Sequence, residues 1–325
     1  MQFPSMPLWL GPLVFLGVAA FGPLDQPKYQ AEEITLETPT GVIHGTLLLP
    51  ERLPAPLALI IAGSGPTDRD GNSRMLPGKN NSLKYLAEGL AKQGIASVRF
   101  DKRAIGQSKD AAVSESDLRF DTYVIDAAAW LAKLRKDRRF STITVVGHSE
   151  GSLIGMMAAA REPANAFVSI AGAGRSAGVV LREQLKAGLP AGPLYDEAMR
   201  ILTELEKGRM VDSISPPLAP MFRPSVQPYV ISWLPLDPAT LLAKLNLPVL
   251  LLQGTTDLQI SVADAELLAR AQPRARLVIV EGMNHVLKEA PPDRLQQGAA
   301  YSDPALPVVP RVIDEIARFV QTLRS

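Results

Sequence analysis

The chain has 325 residues, 46% of them hydrophobic and 21% charged, with a formal net charge of +1 and no cysteine. That length suits one α/β domain with an insertion, or two small domains, and the near-neutral charge leaves no basic footprint for nucleic acid. Without cysteine there is no disulfide, no thiol nucleophile and no cysteine-ligated metal.

The apolar run Leu8 to Phe21 is too short for a comfortable membrane span. The small residues Val18-Ala19-Ala20 close it, although no basic n-region precedes it. Residues 1–20 are therefore expected to be a signal peptide, giving a secreted or periplasmic protein with no stable membrane span. An uncleaved anchor and a hydrophobic N-terminal extension are the alternatives.

Residues 34–36 and 42–49 read as a hairpin, and 57–61 as a strand followed by the loop Ala62-Gly63-Ser64-Gly65-Pro66. Asp68-Arg69-Asp70-Gly71-Asn72 resembles the start of a calcium loop. The twelfth position from Asp68 is Lys79 where an acidic ligand belongs, so a hydrogen-bonded turn is expected and no metal. The pattern predicts a helix over 83–93 closed by Gly94, a strand over 95–100 and a helix over 121–134. A strand over 143–146, a helix over 152–160 and a strand over 167–170 follow, then strands at 249 and 277 flanking a helix over 263–271. A helix over 308–323 closes the chain. This alternation argues for a mostly parallel central sheet covered by helices on both faces.

Gly147-His148-Ser149-Glu150-Gly151 lies between the apolar run Ile143-Thr144-Val145-Val146 and a helix-compatible run. Strand, Gly-x-Ser-x-Gly and helix form the context of a nucleophile elbow, with Ser149 at the positive end of the helix. A serine hydroxyl needs a general base. Of the three histidines, His148 sits inside the elbow, where its side chain should point away from Ser149, and His44 falls on an early strand. His285 follows the strand-like run Leu277-Val278-Ile279-Val280 and a short turn, and becomes the candidate base. The carboxylate that orients it is expected to be Asp257, just beyond the apolar run Pro248 to Gln253, with Glu281 as rival. Acyl transfer also needs an oxyanion hole. Its expected donors are the backbone N–H of Glu150 and that of Ser64 in the loop after an earlier strand.

The elbow, Asp257, His285 and the loop Ala62-Gly63-Ser64-Gly65-Pro66 resemble the α/β-hydrolase superfamily from about Glu33 to the C-terminus. That superfamily often carries His-Gly-x-Gly-Pro at the loop, where this chain has Ala62. Asp101-Lys102-Arg103-Ala104-Ile105-Gly106-Gln107-Ser108 resembles its Asp-x-Arg-Gly-x-Gly-x-Ser turn, with Ala104 in place of a glycine. The string Gly63 to Ser73 is similar to a subgroup of bacterial carboxylesterases near serine-aminopeptidase-like proteins. The resemblance implies an α/β-hydrolase fold and a serine esterase that needs neither metal nor cofactor and acts on a small-molecule ester or amide. An amidase, aminopeptidase or acyltransferase with the same triad is an alternative, as is a non-catalytic binding protein on the same fold.

Residues 172–247 interrupt the alternation with amphipathic runs and many prolines. The superfamily commonly inserts a cap at that point. The expected organisation is therefore a core first part over 30–171, a mainly helical cap over 172–247 and a core second part over 248–325. Met221, Phe222, Tyr229 and Trp233 in the insertion either line an acyl pocket or pack the cap on the core; no residue is assigned to substrate binding.

Overall fold

The computed structural model describes residues 29–112 and 114–323; the expected signal peptide lies outside them. Among the described residues no helix is long and apolar enough to cross a membrane. Eight strands form one sheet: β1 Tyr29–Thr38, β2 Gly41–Pro50, β3 Ala55–Ile61, β4 Ala96–Phe100, β5 Phe140–His148, β6 Ala166–Ile170, β7 Val249–Gly254 and β8 Arg276–Val280. Their spatial order is β1-β2-β4-β3-β5-β6-β7-β8. β1, β2 and β4 pair antiparallel, and β4 through β8 run parallel.

Strands covered on both faces read as continuous apolar runs, because helices sit above and below them. β4, β6 and β7 are buried at every position. Alternation along β3 sorts its side chains: Leu57, Leu59 and Ile61 enter one core cluster, and Ala58 and Ile60 the other. The first cluster packs under α2 Phe120–Leu134 and α3 Glu150–Arg161. The second packs under α1 Ser82–Lys92 and a C-terminal helix, Pro310–Gln321. α1 follows the expected pattern: Leu83, Leu86 and Leu90 face the core, and Gly94 takes a positive φ of 79° just past its end.

Between β6 and β7 lie α4 Ala177–Gly188, α5 Pro193–Glu206, α6 Ala219–Phe222, α7 Gln227–Trp233 and α8 Pro238–Ala243. Four prolines of this stretch mark helix starts: α5 to α8 each carry one in the first turn, where the missing N–H costs nothing. α9 Val262–Ala271 joins β7 to β8, and α10 Gly298–Ser302 precedes the C-terminal helix, α11.

The strand order places the site. From β3 the chain moves to one side for β4 and to the other for β5, so the ends of β3 and β5 lie together at the switch point of the sheet. Ile61 pairs with Gly147 in that register, which sets the loop after β3 against the turn after β5.

Candidate active site

The chain leaves β5 through Ser149, whose φ of 56° and ψ of −122° lie where side chains are rarely found. Such a backbone typically costs about 1–3 kcal/mol and persists because its surroundings over-determine it. The Ser149 N–H donates to the Ile170 carbonyl at 2.9 Å. Both flanking glycines are dictated by close approach: a β-carbon on Gly147 would stand 2.2 Å from the Gly151 carbonyl oxygen, and one on Gly151 2.3 Å from that of Ile61.

His285 brings its Nε2 to 3.1 Å from Ser149 Oγ and its Nδ1 to 2.8 Å from Asp257 Oδ2. A carboxylate can only accept, so Nδ1 carries the hydrogen and Nε2 is left to accept from the serine. The other Asp257 oxygen accepts the backbone N–H of Gln259 and Ile260 at 2.8 and 3.0 Å. Burial pushes the Asp257 carboxyl up, but the His285 imidazole and those two amides outweigh it, and its pKa falls below the ordinary carboxylate value. Glu281, the rival carboxylate, is exposed to solvent. The loops of acid and base are tied together: Thr256 N–H donates to the Met283 carbonyl and Gly282 N–H to Thr255 Oγ1. Asn284 braces the turn that carries His285, its Oδ1 accepting the N–H groups of Val286 and Lys288.

His148 turns from Ser149, and its Nε2 lies 2.7 Å from the backbone carbonyl oxygen of His285. Since a carbonyl only accepts, Nε2 carries the hydrogen. Burial lowers this imidazole to a pKa of about 4, so it is neutral near pH 7. His148 thus points away from Ser149, as its place in the elbow leads one to expect, and supports the loop that carries His285. His44 on β2 pairs at the surface with Glu33 at 2.9 Å.

Glu150 opens α3, where a first-turn N–H has no partner within the helix. Gly63, immediately before Ser64, lies flush with the elbow: a β-carbon there would stand 3.2 Å from the Ser149 β-carbon. The structure thus gathers Ser149, Asp257, His285, the Glu150 main chain and the 63–64 peptide at one edge of the sheet. Asp68, the first residue of the calcium-like string, spends its carboxylate on the N–H groups of Asp70 and Asn72. Among the described residues no His/Cys/Asp/Glu group is arranged to hold a metal.

Lys102 was not legible in the sequence as part of this site. Its Nζ donates to the Gly63 carbonyl at 2.6 Å and to Glu150 Oε1 at 3.0 Å, with both charged side chains 2% exposed. Lys and Glu are rarely buried unless paired. Of the four insertion residues, Phe222 is buried in a cluster belonging to the insertion itself, and Met221 is exposed. Tyr229 and Trp233 pack on Phe120 of α2, their ring centroids each 6.0 Å from it. Ala104 stands where the resembling turn has glycine and adopts a positive φ of 66°.

The model of the family described as serine aminopeptidase, S33, matches residues 79–205. Esterase EstD of Thermotoga maritima is 27% identical over 309 residues, covering 91% of this chain and 69% of that protein. Among solved structures, Est1E from Butyrivibrio proteoclasticus aligns over 89% of this chain and 98% of its own, with a TM-score of 0.57 at 16% identity. The α/β hydrolase GrgF from Penicillium sp. sh18 aligns over 91% and 99%, with a TM-score of 0.59 at 17% identity. At those identities the two structures establish a shared fold.

Proposed function

We propose that this chain, a member of the α/β-hydrolase superfamily and a carboxylesterase-type hydrolase, cleaves carboxylic esters of small or medium acyl chains through an acyl-enzyme on Ser149. The observation that carries the reading is the hydrogen-bonded line from Asp257 through His285 to Ser149. In the proposed cycle Ser149 Oγ attacks the ester carbonyl while His285 Nε2 takes its proton. The imidazolium is stabilised by the carboxylate of Asp257, which stays ionised. Negative charge on the carbonyl oxygen is met by the N–H groups of Ser64 and Glu150, each donor worth roughly 3–4 kcal/mol in the transition state. His285 returns the proton to the leaving alcohol, and a water deprotonated by the same nitrogen releases the acid.

A limit on acyl length is supported by the insertion, whose short helices pack into their own core and dock on α2 through Tyr229 and Trp233. Each methylene buried in a pocket adds about 0.8 kcal/mol until the pocket is full. The test is kcat/KM over p-nitrophenyl esters of increasing chain length, beside aminoacyl p-nitroanilides, for wild type and Ser149→Ala. The expected result is an optimum at short or medium esters and a loss of about a million-fold on Ser149→Ala. Turnover retained by a purified Ser149→Ala protein overturns the mechanism. Anilides cleaved faster than every ester would transfer the reading to an amidase, the direction in which the family match over residues 79–205 points.

A further inference from the structure

We propose that Lys102 is a positioning residue for the oxyanion hole, holding the Gly63–Ser64 peptide in the orientation that presents the Ser64 N–H; this rests on the reading of Ser149 as nucleophile. In a trans peptide the C=O and the next N–H lie in one plane and point in opposite directions. Fixing the Gly63 carbonyl therefore fixes the direction of the Ser64 N–H. Lys102 Nζ does so at 2.6 Å, a short charge-assisted hydrogen bond. Gly63 needs such a hold, because a residue without a β-carbon has little conformational preference of its own. A β-carbon there would stand 3.2 Å from the Ser149 β-carbon and 3.4 Å from His148 Nδ1, so the elbow leaves little room for a side chain at this position.

The ammonium group is itself held from two further sides. Glu150 Oε1 lies 3.0 Å away, and the ring of Tyr123 lies with its centroid 5.0 Å from Nζ. Glu150 thus acts twice: its main chain is one expected oxyanion donor, and its carboxylate anchors the lysine that orients the other. Tyr229 of α7 in turn packs edge-on against Tyr123, their ring centroids 5.6 Å apart. An unanchored peptide could rotate to aim the Gly63 carbonyl at the developing negative charge. A donor would then be replaced by an acceptor, at a cost that falls on the transition state and not on the bound ester.

The test uses an aryl boronic acid, which Ser149 converts to a tetrahedral anion. The Oγ electron pair forms the bond to boron, and the serine proton passes to His285 Nε2. The variant Lys102→Met/Glu150→Gln removes both buried charges together, so neither is left unpaired. Its boronate affinity is expected to fall about 10–100-fold, with kcat for p-nitrophenyl acetate falling by a similar factor and KM changing less than about threefold. Glu150→Gln alone keeps the lysine but loosens its anchor, and is expected to lose about 3–10-fold in boronate affinity. A role confined to stability would lower the unfolding midpoint without this split between boronate affinity and KM. Wild-type boronate affinity in either folded variant overturns the proposal. Boronate binding is read on Ser149 itself, whatever esters are offered. A wild-type protein that binds boronate but hydrolyses no ester sinks the esterase reading alone, and one that binds no boronate sinks both.

Discussion

At the C-terminal ends of β5, β7 and β8, each functional side chain is held by hydrogen bonds from its own loop or its neighbour. The carboxylate of Asp257 alone accepts from Gln253, Gln259, Ile260 and His285. Between β6 and β7 the organisation is different: Leu181, Ile201, Leu202, Phe222 and Val230 of α4 to α7 bury one another in a cluster separate from the two that flank the sheet. Hydrogen bonds are directional and fix a group to within tenths of an ångström, whereas apolar burial fixes volume and tolerates rearrangement. The division suggests where precision is required. Substitutions in the strand-end loops should act on the chemical step, and substitutions inside the insertion should act on stability and on what can enter.

The largest effect expected on the loop side after loss of the nucleophile is that of Asp257→Asn. The amide would present its NH₂ to His285 or leave Nδ1 with the wrong tautomer, and kcat is expected to fall by roughly ten-thousand-fold. Glu281→Gln, at an exposed position in the same region, should change kcat little. Steady-state kinetics on one ester with both variants decides it, and the reverse ranking would move the carboxylate role to Glu281.

On the insertion side the sharpest probe is Phe222→Ala. Its ring is fully buried, so truncation should cost about 3–5 kcal/mol in denaturant unfolding. For the shortest ester, kcat should stay within a few-fold of wild type at temperatures where the variant is folded. A drop in kcat beyond a hundred-fold there would show that the insertion helps to hold the chemistry and would break the division drawn above.

How far the molecule can be read from its residues follows the same line. β3, β5, β6 and β7 are legible because continuous apolar runs bounded by turn residues have few other solutions, and helices such as α1 because apolar residues recur on one face. The approach of Ser149, Asp257 and His285 to one another could be anticipated because each lies a few residues beyond a strand of one parallel sheet, so topology does the gathering. Lys102 could not be found that way. It sits at an unspecified position of the Asp-x-Arg-Gly-x-Gly-x-Ser-like turn, and its two partners lie 39 and 48 residues away. Nothing local says that the lysine is buried. Tyr229 and Trp233 were ambiguous for a related reason: an amphipathic helix shows that it has an apolar face, but the surface it covers is set by the tertiary fold.

The smallest effect expected concerns His148, and it tests whether support for the loop that carries His285 depends on pH. Buried and neutral, with its Nε2–H on the His285 carbonyl, this imidazole has a pKa lowered from 6.5 to about 4 in the folded chain. Between those two values the unfolded chain binds a proton that the folded chain does not, so stability rises with pH across the window. The contribution is fully present above about pH 6.5, is lost as the pH falls towards about 4, and changes no further below it. A shift of that size corresponds to about 3 kcal/mol across the whole window. His148→Gln keeps a donor for the carbonyl but cannot titrate. Denaturant unfolding of both proteins at about pH 8 and about pH 4 should show wild type losing about 3 kcal/mol more than the variant, whatever the carboxylates contribute to both. Parallel losses would mean that His148 is already charged in the folded protein, or that water reaches it. Its hydrogen bond to the histidine loop would then carry no pH-dependent stability.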